Sequence, residues 1–261
     1  MGLGGLLLVG VIVLLLFLSG AFTGGSGFDI PGQNLPAMPG GGQGLTGTGQ
    51  DAELADFVAF VVDDVQNAWR ADFRSAGRTY ETTKLVLFDG QTQSGCGPAS
   101  SETGPFYCPT DRKVYLDLGF FRELRDRFGA PGDFAEAYVI AHEFGHHVQN
   151  QLGTMDRVDE EEQSHPVEAN DLSVRLELQA DCYAGVWAHS AFEQGELEPG
   201  DIDEALRAAA AVGDDRIQRA AGQRVNPETW THGSSEERAG WFKAGYANGD
   251  PADCDTFSAS I

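Results

Sequence analysis

The stretch Ala141-His142-Glu143-Phe144-Gly145-His146-His147-Val148-Gln149 lies inside a run patterned for a buried helix. Pro131-Gly132-Asp133 ahead of it supplies a turn and an N-cap, and Gly153 beyond it supplies a stop. Between them Phe134, Tyr138, Ala141, Gly145, Val148 and Leu152 recur at steps of three and four, the period of one helix face. On such a helix His142 and His146 stand one turn apart with both imidazoles on the same side. Two ring nitrogens can then reach one ion at ~2.0–2.1 Å. Glu143, beside the first histidine, is placed to take a proton from an attacking water. An ordinary core helix can carry the same five-residue pattern by accident, so a hydrolytic metal site requires a third ligand.

One solution, H-E-x-x-H-x-x-G-x-x-H, is excluded because Gln149 and Leu152 occupy the slots for its glycine and last histidine. The other takes a glutamate from a later helix, with an aspartate four residues on that orients a ligating histidine. Glu168 and Glu177 compete for this role. Four residues after Glu168 stands Leu172, whereas Glu177 is followed by Asp181. Leu172 to Trp187 reads as a helix, so Glu177 and Asp181 share a face. Two carboxylates one turn apart repel unless a cation or a donor compensates them, and a metal with its histidine would do so. The expected ligands are therefore His142, His146 and Glu177, with Asp181 behind one histidine.

The composition limits the alternatives. A chain of 261 residues with a formal charge of -23 and a pI near 4.4 would be repelled by a phosphate backbone, so nucleic acid is not an expected partner. Cys96, Cys108, Cys182 and Cys254 contain no C-x-x-C pair, which disfavours a zinc finger or redox motif. Four cysteines in an exported domain allow three pairings. The expected one is Cys96–Cys108, closing a local loop, with Cys182–Cys254 tying the tail to a helix.

Leu3 to Phe22 carries no charge and is long enough to span a bilayer. Residues 1–22 are expected to be a single-pass anchor with the domain outside the cytoplasm. The alternative is a signal segment cleaved near Ser19-Gly20-Ala21, which would release a secreted domain. Residues 23–50, rich in Gly, Pro, Ser, Thr and Gln, read as a flexible linker. The folded domain is expected over 51–261. It opens with an amphipathic helix whose core stripe is Leu54, Phe57, Val58, Val61, Val65, Trp69 and Phe73. Lys84–Phe88 and Lys113–Leu118 read as strands, with Gln91–Pro109 a loop between them. Val114-Tyr115-Leu116-Asp117 is a candidate sheet edge for pairing with an extended peptide. Gly119–Phe128 reads as a short helix. Asp201-x-x-Glu204 is expected to cap a helix ending near Gly213, and Ser234-x-x-Glu237 forms a capping box. The elements predict an α+β fold, mostly helical with a small sheet.

Several stretches resemble one bacterial family, the neutral zinc metallopeptidases. They are Gly104-Pro105-Phe106-Tyr107-Cys108-Pro109, Val114 to Leu118, Ala137 to Glu143, Leu176 to Asp181, Thr231-His232-Gly233-Ser234-Ser235-Glu236 and the Cys-Asp-Thr-Phe tail. The resemblance runs from residue 51 to the end. It implies a zincin-like fold, a Zn2+ cofactor, a peptide or protein substrate and a membrane-anchored, extracytoplasmic domain. His232, at a loop–helix junction, is then a candidate donor to the oxyanion, as later histidines are in related zincins. His147 points away from the ligand pair by roughly 100° and reads as structural. His165 and His189 read as surface or packing residues. The expected activity is peptide hydrolysis with Glu143 as general base. The alternatives are a zinc-binding but catalytically silent membrane scaffold or sensor, and a metal-free interaction domain. An intact Glu143, which a metal does not need, favours the enzyme.

Overall fold

The structure is a computed structural model that describes residues 50–126 and 128–259. The hydrophobic segment expected over 1–22, and the linker expected over 23–50 apart from Gln50 itself, lie outside the described residues. Among the described residues no helix is long and apolar enough to cross a membrane.

Helix α1 (Gln50–Ser75) buries Val58, Val61, Val65, Trp69 and Phe73, with Leu54 and Phe57 packed half-exposed against the same core. Strand β1 (Lys84–Phe88) follows, then β2 (Gln91–Ser94), β3 (Gly97–Ser100), β4 (Phe106–Cys108) and β5 (Lys113–Asp117). The expected loop from Gln91 to Pro109 is thus a β2–β3 hairpin plus a third short strand. The sheet order is β1-β5-β4, with β1 parallel and β4 antiparallel to β5. Val114–Asp117, a candidate edge or an ordinary internal strand by sequence, is internal: β5 is the middle strand and β4 an outer one. The Cys96–Cys108 disulfide joins the hairpin turn to β4.

Beyond the sheet lie α2 (Leu118–Asp126), α3 (Asp133–Leu152), α4 (Thr154–Ser164), α5 (Ala169–Gln194), α6 (Asp201–Ala211), α7 (Asp214–Ala220) and α8 (Ser235–Asn248). The architecture is α+β, mostly helices with a small sheet. Helix α3 is buried on nearly every side from Phe134 to Gln149, so it is the central rod. Each large side chain it hides, such as Tyr138 or Phe144, contributes about 1.5–3 kcal/mol. Its N-terminus corrects a second expectation, because Asp133 does not cap it. The Glu204 carboxylate of α6 accepts from the Phe134 N–H at 3.3 Å instead. Gly132 makes room for that carboxylate: its φ is 119°, and a Cβ there would meet Glu204 Oε2 at 1.9 Å. Glu204 therefore caps α3 and not its own helix, whose N-cap residue is Gly200.

Helices α5 and α8 touch backbone to backbone. A Cβ on Gly185 would meet the Phe242 carbonyl at 2.0 Å, and one on Gly245 would meet the Cys182 carbonyl at 1.9 Å. The Cys182–Cys254 disulfide pins the short 3-10 turn Pro251–Cys254 against α5. Close contact on this side carries α8, and the loop before it, over the inner face of α3 and α5.

Candidate metal centre

Gly145 lets α3 approach α5 closely, since a Cβ there would already meet the Ala180 carbonyl at 3.1 Å. Across this crossing His142, His146 and Glu177 converge, all buried, with their ligand atoms within 4.8 Å of one another. His142 Nε2 lies 3.2 Å from Glu177 Oε2, and His146 Nε2 lies 3.5 Å from Glu177 Oε1. A tetrahedron with bonds of ~2.0–2.1 Å has edges of about 3.3–3.4 Å. The donor set, two imidazoles and a carboxylate, is that of a hydrolytic zinc site. The residues present therefore fit the ion. Glu168, the competing glutamate, is exposed at the start of α5 and belongs to no such cluster.

A ring of buried partners surrounds the trio. His142 Nδ1 is 2.9 Å from Asp181 Oδ1, the relationship expected from the spacing of Glu177 and Asp181. Asp181, fully buried, also accepts from the Tyr138 hydroxyl and from Arg238 Nε and Nη2 at 2.8 and 3.0 Å. His146 Nδ1 is 2.8 Å from Gln149 Oε1. The main chain of Tyr107 on β4 acts weakly on the Glu143 carboxyl, lowering its pKa against the larger effect of burial.

These neighbours divide the charge. Burial alone would depress the His142 imidazolium, but the Asp181 carboxylate outweighs it and raises its pKa to about 10. His146, facing only a neutral amide behind it, follows burial and falls to about 4. Burial also lifts Glu143 to about 7, with the Glu177 charge adding to it. Burial opposes the charge on Glu177 as well, yet the histidines hold its carboxyl far below the ordinary range. The pocket thus combines a fixed carboxylate at Glu177 with a proton acceptor tuned near neutrality at Glu143.

His232 is brought to the same chamber, where it acts on the charge of Glu177. Its main-chain N–H donates to Asp214 Oδ2 at 2.7 Å and its Nδ1 lies 3.3 Å from Asp214 Oδ1. Asp214 also accepts from the N–H groups of Thr231 and Gly233. The sequence reading missed Asp214, Arg238 and the Tyr107 main chain, none of which has a local signal. It also passed over Gln149, which stands three residues after His146 on the same helix and was open to notice. His147 is structural: its Nδ1 is 3.0 Å from the Tyr107 hydroxyl and its Nε2 2.7 Å from the Glu81 carbonyl. His165 is exposed, and His189 bonds the Tyr246 carbonyl.

A sequence model of the family described as "Putative neutral zinc metallopeptidase" matches residues 1–257. Among curated relatives, the uncharacterized protein YpfJ of Escherichia coli is 46% identical over 269 residues, covering 92% of this chain and 94% of the relative. The uncharacterized protein Rv2575 of Mycobacterium tuberculosis is 50% identical over 224 residues, covering 82% of this chain and 74% of the relative. No solved structure matches the chain.

Proposed function

The chain belongs to the putative neutral zinc metallopeptidase family, and from that premise we propose that it hydrolyses peptide bonds at the His142–His146–Glu177 centre with a zincin-like arrangement of helices. The observation that carries this reading is the joint burial of the converging His142–His146–Glu177 trio and Glu143, a carboxylate the ion itself does not need.

When bound, zinc would polarise the scissile carbonyl and make an attacking water acidic near neutral pH. The chain's own residues do the rest. His142, His146 and Glu177 would hold the ion, and Asp181 fixes the ring of His142 by accepting at Nδ1. Glu143 takes the proton of the attacking water and returns it to the leaving amine. His232, held at its main chain and Nδ1 by Asp214, would be the donor to the charge that develops on the carbonyl oxygen.

Two disulfides suit an oxidising compartment. With the uncharged run Leu3–Phe22 they support an extracytoplasmic domain tethered to a membrane by its N-terminal segment. The experiment is cleavage of a peptide library by the zinc-loaded protein, with Glu143→Gln as the control. Cleavage that disappears in the variant supports the peptidase. Zinc binding with no cleavage of any peptide would transfer the reading to a silent zinc scaffold.

A further inference from the structure

We infer that Gln149 and Gln179 form a positioning relay that fixes the tautomer of His146, anchored at the main-chain carbonyl of disulfide-bonded Cys254. The consequence for zinc rests on His146 being a metal ligand, as proposed above; the tautomer itself does not.

A glutamine amide has one end that donates twice and one that only accepts. Gln149 is fully buried. Its Nε2 lies 2.7 Å from the Leu176 carbonyl and 3.1 Å from Gln179 Oε1. A carbonyl can only accept, so the Leu176 contact decides which end of the Gln149 amide faces it. The Gln149 oxygen is left to face His146 Nδ1 at 2.8 Å, and that nitrogen must then be the donor. The proton sits on Nδ1, and Nε2 is the nitrogen that faces Glu177, 3.5 Å from its Oε1.

The same logic holds one step out. Gln179 Nε2 lies 2.9 Å from the Cys254 carbonyl, which again can only accept. Its oxygen must therefore face Gln149. Each amide is locked against flipping by a main-chain carbonyl at its donor end. The outer carbonyl is held in place by the Cys182–Cys254 bridge, whose Cα atoms are 5.6 Å apart, with Cys182 one turn beyond Gln179 on α5. The C-terminal tail is in this way coupled to the second histidine through two buried side chains. His142 is served differently, by a carboxylate. The two histidines consequently have acceptors of unlike charge.

Two measurements on the full chain test the relay. Long-range nitrogen–proton NMR of the metal-free wild type should show His146 protonated on Nδ1; an Nε2–H tautomer would overturn it. Zinc affinity, read by competition with a chromophoric chelator, should fall roughly 10- to 100-fold in Gln149→Leu. Gln179→Leu and the paired Cys182→Ser, Cys254→Ser variant should each weaken zinc in the wild-type background. Gln179→Leu should add nothing in a Gln149→Leu background. Independent, additive losses, or an unchanged affinity in Gln149→Leu, would mean that the amides serve packing alone. The NMR result needs no variant to fold and no metal to bind. A wild type that takes up no zinc therefore counts against the metallopeptidase reading, and the tautomer alone decides the relay.

Discussion

Arg238 grips both oxygens of Asp181, Nε on Oδ2 at 2.8 Å and Nη2 on Oδ1 at 3.0 Å, with both side chains essentially sealed from solvent. The pair stands directly behind His142, and Arg238 Nη2 is 4.0 Å from Glu177 Oε2. Without this cation the two carboxylates, Glu177 and Asp181, would be compensated only by His142 between them. Arg238 is a positioning residue: it keeps Asp181 charged and oriented, and Asp181 keeps the ring of His142 in place.

Arg238→Met should accordingly destabilise the fold by about 3–5 kcal/mol, because it leaves a buried carboxylate without its partner. Urea unfolding of the metal-free protein measures this. Adding Asp181→Asn to that variant should recover part of the loss. Equal, additive losses would show that the two residues do not act as a pair.

Glu143→Gln should retain zinc at wild-type stoichiometry and lose turnover by at least roughly 10²–10⁴-fold. Kinetics with a cleaved library peptide, alongside elemental analysis, separate the two effects. Full activity in this variant would remove Glu143 from the chemistry.

Zinc uptake should release at least one proton at pH 7. The metal-free site keeps His142 protonated, because its pKa is raised from 6.5 to about 10, chiefly by Asp181 working against burial. The ion needs the nitrogen that carries this proton, so proton and metal compete. Affinity should therefore rise about tenfold per pH unit from neutral pH upward and level off near pH 10. Calorimetry in buffers of different ionisation enthalpy counts the proton. A count of zero at pH 7 would contradict the charge arrangement.

His232→Ala should lower kcat by about 10²–10³-fold, the cost of one oxyanion donor, while zinc content stays unchanged. Asp214→Asn should act in the same direction and less strongly, since it loosens His232 without removing it. A His232→Ala enzyme with wild-type kcat would assign that histidine to the loop and not to the reaction.

The parts of this molecule that were legible in the sequence are those whose partners lie within a turn or two. The period from Phe134 to Leu152 defined α3, and His142, His146, Glu177 and Asp181 followed from spacing on two helices. The β2 and β3 strands were not legible, because Gln91–Ser94 and Gly97–Ser100 are four residues each, polar, and interrupted by Gly and Pro. The place of β5 in the middle of its sheet is a property of its neighbours and not of its own residues. Asp214 carries no signal in its own stretch of sequence, because only the loop returning at Thr231–Gly233 gives it His232. Glu204 looked like the cap of its own helix, but the bend at Gly132 delivers it to another.

The most direct test of the account is the zinc content of the purified protein and of two single variants, Glu177→Ala and Glu168→Ala. The account predicts close to one zinc per chain in the wild type, the same in Glu168→Ala, and a marked loss in Glu177→Ala. Zinc undiminished in Glu177→Ala, or none in the wild type, would contradict it.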